Sequence, residues 1–383
     1  MIQLLAENGP LTRAELARRI GVSRAAVSMT VTRLIGDGLV VESTEGAARD
    51  QGGLGVPLTL NPLAGGAVGV DFAHQSLRVV IADLAHKVLA EDSRELALDH
   101  DAREVMDLAA GLVSELLDRS GLRPSAVVGV GVGVPGAVDH RTGRPTPSSI
   151  SSSWVGLDVA GEFSERVAMP VLVDNNANLG ALAEGVWGAA REFSDFVYVK
   201  VGPGVGGGIV LGSQLWRGAT GMSGELGHVT VDETGPMCRC GNRGCLEVYV
   251  GLWAQLAALR PVLGEHLDQA ELLSLAASGD RRCRRLLADV GTTLGKALAS
   301  LCNIINPEAI VLGGEFAPAF DLVRGPVRDA INTYALHLAA TSVEVVSSEL
   351  GERAEALGGV ALVFHEGVGI GAPADRTVRA VTK

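Results

Sequence analysis

Four residues between positions 228 and 245 could hold a metal ion: His228, Cys238, Cys240 and Cys245, the three cysteines packed in the run CRCGNRGC. Three thiolates and an imidazole form a closed tetrahedral set for zinc. No coordination position remains for a reactive water, so the chemistry to expect is structural. Gly241 and Gly244 allow the bend that brings the soft ligands together. A second group lies in VDNNANLGALAE, residues 173–184, where one carboxylate and two amides end an apolar run just before a helix-like stretch. Asp174 precedes Asn175 and alternates away from it on an extended segment, so it is a poor substitute for a base there. Asn175 and Asn176 can orient a hydroxyl but cannot take its proton, and the same amides would also serve simply to cap the helix that follows. Cys283 and Cys302 lie on helix-like stretches and read as small buried apolar side chains.

The chain that must position these groups has 383 residues, more than one ordinary core at roughly 150 residues per domain. It is 47% apolar and 4% aromatic with 50 glycines, and the glycines cluster, which fits folded domains better than disorder. No apolar stretch reaches the ~20 residues of a membrane span, and the N-terminus lacks a basic-then-apolar signal pattern. A cytoplasmic protein without a membrane partner is expected, and five cysteines with three in one loop agree with a reducing compartment. The net charge of −12 argues against a nucleic-acid protein as a whole. Residues 1–33, however, carry Arg13, Arg18, Arg19, Arg24 and Arg33 against Glu7 and Glu15, a balance of +3 that leaves −15 for the rest. A basic head on an acidic body is expected where only the head meets phosphates.

The head reads as three helices and a wing. IQLLAENG is a short amphipathic helix stopped by Gly9 and Pro10. Thr12 caps a second helix, RAELARRIG, with Glu15 completing a capping box and Gly21 ending it. Ser23 caps a third from Arg24, whose apolar stripe is Val27, Val31 and Leu34. Its other face carries Arg24, Ser28 and Thr32, with Ala25 and Met29 beside them, side chains that fit a major groove. LVVE is then a strand, STEGAARDQGG a loop, and GVPLTLNP a strand ending in a linker at Asn61-Pro62. Together these features point to winged helix-turn-helix DNA binding rather than a generic three-helix packing module.

In the body, AVGVDFAHQSLRVVIADLAHKVLAE alternates apolar runs with turns, as three antiparallel strands would, and FVYVKVGPGVGGGIVLGSQLWRG does the same about 125 residues later. Strand, turn, strand, then helices, occurring twice, suggests a duplicated α/β architecture. From about Val68 to Val363 the chain resembles the ROK family, bacterial sugar kinases and the repressors derived from them. With the winged head it resembles the repressor branch. The resemblance implies an α/β fold, a two-lobed actin-like (ribonuclease H-like) ATPase fold behind a winged helix-turn-helix.

It also implies roles. The spacing of the four metal ligands matches the family's zinc motif. The family's sugar ligands fall on Glu225 and His228 of GELGH, on Glu247 after the last cysteine, and on Asn175, with Pro135 and Gly136 across the sugar. The kinase pattern, by contrast, is broken in three places. The catalytic aspartate falls on Asn176, and loss of a general base costs ~10²–10⁴-fold in rate. The first phosphate loop, D-x-G-G-T in the family, is here DFAHQ, with Ala73, His74 and Gln75 where small residues let backbone N–H groups approach phosphates. The second, usually G-T-G, carries Pro203, which removes a hydroxyl and an N–H donor. Gly313 and Gly314 keep the adenosine-side pattern.

The expectation is therefore a DNA-binding head over residues 1–62 and a sugar-binding body over 63–383, with a zinc loop at 228–245. Zinc is structural, and the sugar contacts are Asn175, Asn176, Glu225, His228 and Glu247. The DNA contacts are Ser23, Arg24, Ala25, Ser28, Met29 and Thr32. The partners are a double-stranded operator, a sugar effector and a second copy, as a homodimer or a dimer of dimers. The expected function is a sugar-responsive repressor with no kinase activity; the alternatives are an active sugar kinase with a regulatory head and a body that serves dimerisation alone.

Overall fold

The computed structural model describes residues 1, 4, 5, 8–43, 55–62, 64–97, 100–146 and 152–366. The expected first helix lies partly outside the described residues, and the wing loop lies outside them except for Ser43.

In the head, α1 (Arg13–Ile20) begins at the anticipated capping box: the Thr12 hydroxyl accepts from the Glu15 N–H, and Glu15 Oε2 accepts from the Thr12 N–H at 2.7 Å. Gly21 closes the helix in the left-handed region at φ +76°. Because this box satisfies two end donors, Thr12→Ala is expected to cost about 1 kcal/mol of helix stability, seen as roughly fivefold faster amide exchange across residues 13–20. Ser23 caps α2 (Arg24–Gly36) through the Ala26 N–H at 3.2 Å. β1 (Val40–Glu42) and β2 (Leu58–Leu60) pair antiparallel, Val40 opposite Leu60. Leu5, Leu16, Val27, Val31, Val40, Leu58 and Leu60 bury themselves between these elements as one core.

The body is built from two copies of one plan. β3 (Gly66–Phe72), β4 (Ser76–Asp83) and β5 (Val88–Glu95) form an antiparallel meander, followed by α3 (Ala102–Ser120), β6 (Val127–Val134), the short pair β7 (Val138–Asp139) and β8 (Arg144–Pro145), α4 (Val159–Val167), β9 (Val171–Asn175) and α5 (Asn176–Val186). The second half has β10 (Phe196–Val201), β11 (Val205–Leu211), β12 (Gln214–Leu215), α6 (Glu247–Val250), α7 (Leu252–Leu263), α8 (Gln269–Ser278), α9 (Arg281–Ile305), β13 (Ala309–Gly313), α10 (Phe320–Tyr334), α11 (His337–Ser342), β14 (Glu344–Ser347) and α12 (Ala354–Glu366). The sheet orders are β5-β4-β3-β6-β9 and β12-β11-β10-β13-β14. In each sheet the first three strands are antiparallel and the last two join in parallel, so the repeat read in the two hairpins extends to whole sheets.

α5 and α12 lie between the sheets. A Cβ on Gly69 would overlap the Ala356 carbonyl, and one on Gly131 would overlap Gly359. Gly69 of β3 and Gly131 of β6 are thus where the backbone of α12 rests on the strands. Each lobe then closes its own core, around Phe72, Trp154 and Phe163 in the first and along α9 in the second, where Cys283 and Cys302 are buried as read from the sequence. Among the described residues, no helix is long and apolar enough to cross a membrane.

Head and body meet at the turn between β4 and β5. Leu84 and Ala85 pack on the head's core, and the neighbouring His86 is held at φ +63°. The His86 carbonyl accepts from Trp187 Nε1 at 2.8 Å, and its ring stacks on Phe364 at 5.2 Å.

Candidate functional site

His228, Cys238, Cys240 and Cys245 come together, their ligand atoms all within 4.8 Å of one another. Cys238 Sγ is 3.6 Å from His228 Nδ1, and Cys240 Sγ is 3.6 Å from Cys245 Sγ. Corners of a tetrahedron around zinc, with bonds of about 2.0–2.3 Å, stand roughly 3.6–3.8 Å apart, so the donor set fits that ion. The loop is braced from within: Cys238 N–H donates to Asn242 at 2.7 Å, Leu246 N–H to Val229 at 2.8 Å, and Gly244, at φ +61°, packs on the Asp232 carbonyl with no room for a side chain. Burial pushes the Cys245 thiol up to about 12, so a thiolate there calls for a cation beside it. His228 faces the cysteines with Nδ1 and turns Nε2 toward Glu225 at 3.9 Å. One imidazole can therefore ligate a metal on one side and present an N–H on the other.

That second side faces a cleft lined by Pro135, Gly136, Asn175, Asn176, Glu225, His228 and Glu247, the residues named from the sequence for a sugar. Asn175 ends β9 and caps α5, its Oδ1 accepting from the Ala177 N–H at 2.8 Å while Nδ2 donates to the Gly136 carbonyl at 2.7 Å. Capping and ligation are thus compatible, because one amide hydrogen and one lone pair remain. Asn176 opens the first turn of α5, and its side chain has no hydrogen-bond partner among the described residues. Asp174 is buried and engaged elsewhere: it accepts from Asn178 Nδ2 at 2.8 Å and pairs with Arg217 Nε at 2.6 Å. Burial, with the Glu247 charge beside it, pushes Glu225 up to about 7. Glu247 accepts from the Val205 N–H at 3.1 Å and from Arg239 at 2.8 Å.

The far end of the cleft holds His74, Pro203, Lys200 and Glu315. His74 is half-buried and edge-on to Trp253, with ring centroids 6.1 Å apart. A Cβ on Gly202 would overlap the Glu315 carboxylate, so an acid stands against the second phosphate loop. Lys200 Nζ lies 3.1 Å from Glu355 Oε1; burial opposes its charge, but Glu355 and Asp71 more than reverse that and keep it an ammonium. Asp71 is itself pushed up to about 7 by burial. Lys200, Arg239 and Glu315 were not singled out from the sequence. For Arg239 a signal existed, since a side chain between two ligand cysteines is aimed wherever the loop is aimed.

On α2, Ser23, Arg24, Ala25, Ser28, Met29 and Thr32 are all exposed, Met29 at 76%. The Thr32 hydroxyl already donates to the Ser28 carbonyl at 2.9 Å, leaving its oxygen as an acceptor. The first turn has Arg24 and no acid, an arrangement a helix N-terminus disfavours unless an anion such as a phosphate sits there.

A winged-helix head on a two-lobed actin-like body with a cleft beside the metal loop defines the class. Residues 67–366 match the ROK family and residues 1–50 the MarR family. This chain belongs to the ROK family, with a MarR-type winged-helix DNA-binding domain at its N-terminus. It is 29% identical over 365 residues to the xylose repressor of Bacillus subtilis, covering 95% of this chain and 94% of that one. It is 30% identical to the glucokinase of Thermotoga maritima, over 77% of this chain and 96% of the enzyme. Among solved structures, a ROK family transcriptional regulator, homologue of the Escherichia coli MLC protein, matches with TM-score 0.78 and 25% identity over 95% of this chain and 94% of that one.

Proposed function

We propose that the chain is a sugar-responsive DNA-binding transcriptional regulator, a repressor of carbohydrate-related genes, whose kinase-like body binds a sugar and leaves it unreacted. The observation that carries this reading is that the residues suited to hold a sugar converge on one cleft, while the position for a base holds Asn176 and the other end is lined by His74, Pro203 and Glu315. Glu225 and Glu247 accept hydrogen bonds from hydroxyls, His228 Nε2–H donates one, and the free edges of Asn175 and Asn176 orient the ring. Zinc, held by His228, Cys238, Cys240 and Cys245, supplies rigidity to the loop and takes no part in a reaction. Its thiolates suit a reducing cytoplasm.

The head, bounded at Pro62, reads an operator through Ser23, Arg24, Ala25, Ser28, Met29 and Thr32. In a homodimer, or a dimer of dimers, two recognition helices address half-sites about 34–36 Å apart. The relatives' names make D-xylose and D-glucose first probes, and a mobility-shift titration on the DNA upstream of the gene tests the effector role. A shift unchanged by every sugar tried would remove it. Sugar phosphate formed from ATP and magnesium would instead establish a kinase. Asn176→Asp alone is expected to leave turnover undetectable, because Pro203 and residues 73–75 remain in the phosphate loops; robust phosphorylation by that variant would refute the argument.

A further inference from the structure

Arg239 reaches from the metal loop into the cleft and meets a carboxylate there. Its Nη2 lies 2.8 Å from both Oε1 and Oε2 of Glu247, and Oε2 also accepts from the Val205 N–H at 3.1 Å. One lone pair of Glu247 Oε1 is then left for a ligand, while the Nε and Nη1 donors of Arg239 have no partner among the described residues. The arginine lines the cleft beside Glu225 and His228.

A carboxylate reads a hydroxyl only as a donor, and a guanidinium reads it only as an acceptor. We propose that Arg239 is a specificity-determining residue of this cleft, acting with Glu247 to read two adjacent hydroxyls of a sugar: one donates to Glu247 Oε1 and its neighbour accepts from the guanidinium. The inference rests on the sugar-binding reading of the cleft. Replacing either hydroxyl by hydrogen would remove one of these two contacts and leave the matching donor or acceptor edge of the pair without a ligand partner, which is how such sites reject analogues.

Calorimetry on the full chain with D-xylose, D-glucose and N-acetyl-D-glucosamine, then with monodeoxy analogues of whichever binds, compares wild type with Arg239→Met and Arg239→Lys. Metal content and operator affinity are recorded for each. Arg239→Met is expected to bind the parent sugar roughly ten- to hundredfold more weakly, with Arg239→Lys between. The analogue lacking the hydroxyl read by Arg239 should bind wild type and Arg239→Met alike, since that contact is absent from both. If Arg239 merely braces the loop, the parent and every analogue weaken by one factor and metal content falls, which overturns the proposal, as does equal affinity of wild type and Arg239→Met for the parent. If wild type binds none of the sugars, the sugar reading itself fails and this inference with it.

Discussion

Cys245→Ser is expected to lose the metal and, with it, at least roughly a hundredfold in sugar affinity. Cys245 is wholly buried, and the loop it closes carries Glu225 and His228 at one end and Glu247 just past the other. Between these ends the chain is held by short bridges, Thr230 to Cys245 and Met237 to Arg243, rather than by regular secondary structure. Metal bonds are the strongest candidates to fix such a segment; structural zinc in small domains contributes about 10–16 kcal/mol at neutral pH. Here the surrounding lobe has its own core along α9, so the loss should stay local: residues 228–246 open to protease while the lobe keeps its fold. Because a variant can misfold for other reasons, the same result is expected from wild type treated with a strong zinc chelator, reversed by added zinc. Sugar affinity within twofold of normal in metal-free protein would refute the role assigned to the loop.

What the sequence made legible follows from how far each interaction reaches along the chain. The Thr12 and Glu15 box and the Ser23 cap involve residues three apart, and both are present in the fold. The two hairpins were visible because their strands are neighbours, and the metal ligands because three of the four lie within eight residues. Pairings across long separations were hidden. The Asn175 amide bonds Gly136, 39 residues back, so capping and ligation looked like rivals until the strand ends were placed together. Alternation along the strand already turns Asp174 away from Asn175, but the partner it meets, Arg217, lies 43 residues on and was hidden. Lys200, Glu315 and Arg239 belong to the same class: their types were plain, but their targets depend on how two lobes and a loop close around one cleft.

The longest of these links motivates the second large prediction. α5 starts at the cleft with Asn175 and Asn176 and ends at Trp187, a span of about 16 Å at 1.5 Å per residue. Trp187 Nε1 donates to the His86 carbonyl, 101 residues away, and His86 sits beside Leu84 and Ala85, which pack on the head's core. A packed helix is stiff, so a sugar that shifts the first turn of α5 must displace this turn or strain it, and His86 is already in the left-handed region. Trp187→Phe keeps an aromatic ring against the His86 ring but removes the donor. Operator affinity without sugar and sugar affinity without DNA are each expected to stay within about twofold. What should collapse is the coupling between them: a sugar-induced change in operator affinity of roughly 5- to 150-fold, typical of such coupling, should fall to about threefold or less. By reciprocity the same loss must appear in the effect of operator DNA on sugar binding, which gives an independent reading of one quantity. Full coupling in the variant by both measurements would show that the signal reaches the head by another route, and the contact between α12 and the sheet of β3 and β6 would be the next to test.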